Sequence, residues 1–130
     1  MAKSRKMKVL VVDNEEEFAS TLAARLQLRK ISAACAFSGA EALAAIAEFR
    51  PDIIILDLQM PDMGGLEVLS QVKAMAPAIH VILMTGRGSL ENGIAGMELG
   101  AFDYLVKPVD LDILLERIAD AFHKRHGSRC

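Results

Sequence analysis

The sequence predicts an α/β domain: a doubly wound, five-stranded parallel sheet in the order 2-1-3-4-5, with helices on both faces. Three observations carry that expectation. Short continuous apolar runs alternate five times with helical stretches, and such runs mark strands buried on both faces. Five βα units joined by right-handed crossovers give a parallel sheet, and 2-1-3-4-5 is a common doubly wound order in which strands 1 and 3 meet at the switch point. Four of the five runs close on a residue with chemistry, namely Asp13, Asp57, Thr85 and Lys107.

The elements follow in order. Val9 to Val12 is the first strand, ending at Asp13, and Phe18, Leu22 and Leu26 lie four apart on one face of the helix behind it. Ile31 to Phe37 is a weaker strand of small residues. Ser38-Gly39-Ala40-Glu41 reads as a capping box opening an alanine-rich helix from Gly39 to Glu48, which stops before Pro51. Ile53 to Leu56 is the third strand, ending on Asp57, and Met60 to Gly65 is a loop punctuated by Pro61, Gly64 and Gly65. Leu66, Leu69, Val72 and Met75 give the third helix its inward face. Ile79 to Met84 leads to Thr85, and Ser89 to Leu99 forms a fourth helix weakened by Gly93 and Gly96. Tyr104 to Val106 leads to Lys107. Asp110 caps a last helix whose stripe is Leu111, Leu114, Leu115, Ile118 and Phe122.

Composition bounds what such a domain does. A chain of 130 residues suits one domain. Its 52% hydrophobic and 25% charged residues belong to a globular chain, not a disordered one. A net charge of −2 gives no nucleic-acid footprint. The basic residues near the ends, Lys3, Arg5, Lys6 and Lys8, then Lys124, Arg125 and Arg129, read as solvated tails. Cys35 and Cys130 suggest no disulfide framework, and Cys35 reads as a small core residue. The apolar run behind the basic start is broken by Asp13 and three glutamates, so it does not read as a secretory signal. No stretch reaches the ~18 apolar residues of a membrane helix. These features fit a reducing cytoplasm. Met60 and Met63 fall in the loop after Asp57, the other internal methionines read as core or gap-filling residues, and His80, His123 and His126 show no metal-ligand spacing.

The strand-end residues each have a plain structural explanation: the aspartates as helix caps, Thr85 as a β-branched strand residue, Lys107 as a surface lysine. Together they imply more, because all carboxyl ends of a parallel sheet open on one edge. Asp13 and Asp57 arrive there on neighbouring strands, with Glu15 close behind. Clustered carboxylates repel, and one takes up a proton unless a cation intervenes. A hard divalent cation such as Mg²⁺ suits oxygen donors of this kind, and with Lys107 it would steady a phosphoryl group. A carboxylate is itself a competent nucleophile toward phosphorus.

Four blocks then resemble the receiver domain of two-component response regulators: Val-Val-Asp13-Asn-Glu, Ile-Leu-Asp57-Leu-Gln-Met-Pro-Asp-Met-Gly-Gly, Met-Thr85-Gly and Asp-Tyr104-Leu-Val-Lys107-Pro108. The resemblance spans residues 7–124, between a basic arm at 1–6 and a tail at 125–130. It implies a flavodoxin-like receiver fold, in which Asp57 accepts a phosphoryl group from a histidine kinase or histidine phosphotransfer protein, with Mg²⁺ or Mn²⁺ as cofactor. Lys107 would pair with the phosphoryl oxygens, and Thr85 would bond the phosphoryl group once present. Tyr104 would change rotamer with Thr85, with core packing as its plain alternative. The metal ligands implied are Asp13, Asn14, Asp57 and the backbone carbonyl of Gln59. The resemblance further implies a cis Lys107–Pro108 bond, self-catalysed phosphorylation with slow autodephosphorylation, and a face of the fourth helix, fifth strand and fifth helix that switches toward a downstream protein. Such a chain would be a monomer or a phosphorylation-dependent dimer, without nucleic-acid binding of its own and without membrane attachment.

One departure bears on the metal. The family usually has two adjacent acidic residues after strand 1, and here the second is Asn14, whose amide oxygen brings no charge; Glu15, longer by one methylene than an aspartate, is a possible substitute. Two other readings stand beside the phosphoacceptor. One is a degenerate receiver acting as a phosphate-independent docking module, with Asn14 as its only support. The other is a nucleotide- or flavin-binding protein, against which Asn-Glu-Glu-Glu after strand 1 replaces the phosphate-binding glycines with charges that repel phosphate. Whether the chain is a free receiver or part of a longer protein stays open.

Overall fold

The computed structural model describes residues 6–60, 62–86 and 90–125. The elements run β1 (Lys8–Val12), α1 (Glu16–Gln27), β2 (Ser32–Ala36), α2 (Gly39–Phe49), β3 (Ile53–Asp57), α3 (Gly65–Met75), β4 (His80–Thr85), α4 (Leu90–Glu98), β5 (Asp103–Val106) and α5 (Leu111–Arg125). The sheet has the expected order β2-β1-β3-β4-β5 and every pairing is parallel.

Alternation along the strands divides the core in two. Leu10, Val12, Ile54, Leu56, Val81 and Leu83 bury one face of the sheet with Ala42 and Ile46 of α2 and Val68, Leu69 and Val72 of α3. Val9, Val11, Ile53, Ile55, Ile82 and Met84 bury the other with Leu22 and Leu26 of α1 and Leu114 and Ile118 of α5. Each Val, Leu, Ile or Met among them contributes about 1.5–3 kcal/mol by leaving water. Beyond Lys8, which opens β1, both β1 and β3 are apolar on both faces, so neither has a solvent side and the next polar side chains, Asp13 and Asp57, come only where the strands end.

Two helix starts match the sequence signals. Ser38 Oγ accepts the Glu41 N–H at 3.1 Å, and Glu41 Oε1 accepts the Phe37 N–H at 2.8 Å, one residue earlier than an ideal capping box. Asp110 Oδ1 accepts from Asp112 N at 2.8 Å and Ile113 N at 3.2 Å. The alanine-rich α2 stops at Arg50, in the left-handed region at φ 54°, immediately before Pro51.

Some expectations are corrected. In α3 the buried side is Val68, Leu69 and Val72, with Leu66 half-buried and Met75 exposed at 56%, because the last turn runs past the edge of the core. Met97 is likewise exposed and not a gap-filler. Cys35 is only half-buried, since β2 is an edge strand, and its thiol donates to the Ala19 carbonyl at 3.4 Å. Residues 1–5 of the basic arm, Pro61, the helix start at Ser89, and the part of the tail with His126, Arg129 and Cys130 lie outside the described residues. Among the described residues no helix is long and apolar enough to cross a membrane.

Candidate functional site

Register brings the strand ends together. Val12 of β1 pairs with Leu56 of β3, so Asp13 and Asp57, the next residue of each chain, emerge side by side. Asp57 pairs with Met84, and Thr85 follows on β4 opposite Val106 of β5, one residue before Lys107. The Lys107 N–H donates to the Thr85 carbonyl at 2.7 Å, extending the β4–β5 ladder past the strand and fixing where the lysine starts. The Lys107–Pro108 bond is cis, as the resemblance implies.

The side chains converge from those starting points. Lys107 Nζ lies 2.8 Å from Asp13 Oδ2, 3.7 Å from Asp57 Oδ1 and 3.7 Å from Glu15 Oε1. It also stands over the Phe18 ring, 4.9 Å from the centroid. Asp13 Oδ1 accepts the Glu15 N–H at 2.9 Å, and Asp57 Oδ1 accepts the Gln59 N–H at 3.2 Å. Asp13, Asp57 and Thr85 are all buried, while Asn14, Glu15 and Gln59 are exposed around them.

Burial dominates the electrostatics. It pushes the Asp57 carboxyl up to about 6; the Gln59 N–H and the Lys107 charge oppose this, and the Asp13 charge and a hydrogen bond to Asp13 reinforce it. Burial also works against the Lys107 ammonium. Its hydrogen bond to Asp13 and the charges of Asp57, Asp13 and Glu15 outweigh that, so Lys107 is held above the ordinary lysine range. The site is therefore short of positive charge: one lysine serves three carboxylates.

Thr85 completes the set differently. Its Oγ1 is buried and finds no hydrogen-bond partner among the described residues, an arrangement that costs about 1–3 kcal/mol when nothing compensates it. Tyr104, paired in register with Leu83, is half-buried, and its ring packs where Gly93 of α4 has no side chain.

A family model described as the response regulator receiver domain matches residues 9–119. The chain belongs to that family. The receiver is 40% identical over 121 residues to the transcriptional regulatory protein PrrA of Mycobacterium tuberculosis, covering 93% of this chain and 52% of that protein. It is 37% identical over 116 residues to ZraR of Salmonella typhimurium, covering 89% of this chain and 26% of that protein. The receiver thus spans about half, or less, of the curated relatives it matches. Among solved structures, a receiver domain protein from Clostridium thermocellum superposes with a TM-score of 0.88 at 33% identity, over 92% of this chain and 97% of that one. A CheY-like receiver from Methanospirillum hungatei superposes with a TM-score of 0.88 at 28% identity, over 94% and 98%.

Sequence reasoning named Asp13, Asp57, Lys107 and Thr85, and the receiver fold brings all four to one edge. It did not name Phe18 as a neighbour of Lys107; the i, i+4 stripe gave that residue a core role, and nothing in sequence spacing brings α1 near residue 107. Nor did it find Asp62, whose carboxylate accepts from Gly39 N at 3.2 Å and Ala40 N at 3.3 Å, pinning the loop after β3 to the start of α2.

Proposed function

We propose that this receiver is a phosphoaccepting switch in which Asp57 takes a phosphoryl group from the phosphohistidine of a histidine kinase or phosphotransfer protein. The observation that carries the reading is the placing of a buried carboxylate, Asp57, 3.7 Å from a half-buried cation, Lys107, beside a buried hydroxyl, Thr85, that lacks a partner among the described residues. An Asp57 oxygen attacks phosphorus, the P–N bond breaks, and the histidine nitrogen leaves with the electron pair and takes up a proton. Lys107 neutralises charge on the phosphoryl oxygens, and Thr85 Oγ1 donates to one of them, gaining the bond it lacks. Attack of water on phosphorus later restores the Asp57 carboxylate and releases phosphate, a slow self-catalysed hydrolysis.

The donor set fits a hard divalent cation, Mg²⁺ or Mn²⁺. Mg²⁺ uses one or two carboxylates and keeps several waters, so two aspartates at one edge suffice for it. Asp13 and Asp57 would supply those carboxylates, with the Asn14 amide and the Gln59 backbone carbonyl as further oxygens, and a single lysine among three carboxylates leaves a place for added positive charge. Glu15 is 68% exposed and leans on Lys107, so its part in a metal site is secondary. When bound, the ion supplies charge neutralisation for the carboxylates and the incoming phosphoryl oxygens.

The same reading assigns residues 7–124 to the receiver, with 1–6 and 125–130 as flanking segments, in a cytoplasmic protein. Phosphorylation would draw Thr85 inward, let Tyr104 follow, and re-present the α4-β5-α5 face to a downstream protein, or to a second copy in a phosphorylation-dependent dimer. Intact-mass spectrometry after acetyl phosphate treatment tests it. A gain of one phosphoryl group that requires Mg²⁺ and is absent in Asp57→Ala supports the switch. No gain in the wild-type protein favours the degenerate docking module.

A further inference from the structure

We infer that Phe18 is a positioning residue for Lys107, its ring face holding the ammonium between Asp13 and Asp57. The inference rests on the acceptor reading above. Lys107 reaches the site on a four-carbon stem with several rotatable bonds, so its usefulness depends on what confines the ammonium. Asp13 Oδ2 fixes one side at 2.8 Å, but Asp57 Oδ1 and Glu15 Oε1 are both 3.7 Å away and too long to bond. The Phe18 ring, 4.9 Å from Nζ, is close enough to attract the cation through its negative face. The lysine side chain is only 24% exposed, so water screens that attraction little.

Phe18 rises from the first turn of α1 and packs, half-buried, against the core on that face. It also lines an open cavity of about 270 Å³ between α1 and α5, with Thr21, Leu22, Arg25, Val109, Leu111 and Leu114. One aromatic residue thus joins the packing of two helices to the cation of the acceptor site. Leucine would serve the packing role alone; only an aromatic ring serves both.

Three forms of the full chain test this: wild type, Phe18→Leu and Phe18→Tyr. Proton NMR reads the Lys107 ε-methylene signals, and intact mass reads the limiting rate of phosphorylation from acetyl phosphate with Mg²⁺. The expected result is an upfield ring-current displacement of those signals in wild type and Phe18→Tyr, lost in Phe18→Leu. The limiting rate in Phe18→Leu should fall about three- to fivefold, with Phe18→Tyr restoring it. An unchanged rate in Phe18→Leu, or an equal fall in Phe18→Tyr, overturns the inference. If the wild-type chain gains no phosphoryl group, the acceptor reading fails and the lysine signals alone decide. Ordinary signals in wild type then overturn the positioning role, and a displacement lost only in Phe18→Leu sustains it.

Discussion

Lys107 is bonded to Asp13, not to Asp57: its Nζ lies 2.8 Å from Asp13 Oδ2 and 3.7 Å from Asp57 Oδ1. The resting lysine therefore neutralises the metal-ligand candidate and leaves the nucleophile candidate partly uncompensated. A phosphoryl group on Asp57 would bring negative charge within reach of the same ammonium and give it a second partner. On the proposed reading, lysine and a divalent cation would compete for Asp13 before phosphorylation and cooperate after it.

Lys107→Met separates the two effects. It keeps a long apolar stem and removes the cation, so Mg²⁺ should bind a few-fold more tightly, because one like charge has gone. Phosphorylation from acetyl phosphate should nonetheless slow by at least about tenfold, because the transition state loses its fixed cation. Titration calorimetry and intact mass read the two quantities; weaker Mg²⁺ binding in the variant contradicts the competition.

Asp57 makes stability depend on pH with a defined sign. Its carboxyl is raised from 3.8 to about 6 in the folded protein, mainly by burial. Between those values the folded state holds a proton that the unfolded chain has released, so stability falls as pH rises through that window and stays lower above it. The gap corresponds to on the order of 2–3 kcal/mol. In EDTA, Asp57→Asn should unfold at higher urea than wild type at pH 7.5, with the difference shrinking toward pH 4. Mg²⁺ should narrow the difference at pH 7.5. A variant less stable than wild type at pH 7.5 contradicts the burial argument.

Asn14 lowers the negative charge of the site by one. Asn14→Asp should tighten Mg²⁺ by about tenfold, the order expected for one added charge near a divalent ion at a wet surface. Equal affinities in a calorimetric titration would show that Glu15 or another group already fills that place.

Gly93 and Gly96 fix how α4 sits. A Cβ at Gly93 would lie 2.8 Å from Tyr104 Cδ2, and one at Gly96 would run into the Leu83 side chain. Alanines at these positions would raise local helix propensity, as the sequence alone suggests, but the crowding outweighs it: overpacking costs about 1–3 kcal/mol against about 1 kcal/mol of propensity. Gly93→Ala should therefore destabilise the protein and displace the Tyr104 ring. Tyr104 is the only tyrosine and the chain has no tryptophan, so intrinsic fluorescence reads that ring directly. Beryllofluoride should change the emission in wild type and change it less in Gly93→Ala; identical responses would place the switch elsewhere.

The fold was legible because local patterns and global architecture agree. The runs Val9–Val12 and Ile53–Leu56 are apolar at every position and are buried at every position, and Ser38 and Asp110 cap the helices their spacing marks. The site was legible as far as strand ends go, since register alone carries Asp13 and Asp57 to one edge. What escaped depends on contacts between distant segments. Met75 continues the α3 stripe yet overruns the core, because periodicity does not show where the sheet ends. Phe18 obeys its stripe and also faces a lysine 89 positions away, a contact made only when α1 and the β5–α5 connection fold together. Asp62 looks like a loop residue until its backbone partners in α2 are known.

The acceptor assignment is tested most directly by trapping the acyl phosphate. The chain is treated with acetyl phosphate and Mg²⁺, reduced with borohydride and mapped by peptide mass spectrometry. Conversion of residue 57, and no other aspartate, to homoserine is the expected result. Conversion at Asp13 or Asp62, or none at all in protein that has gained a phosphoryl mass, contradicts it.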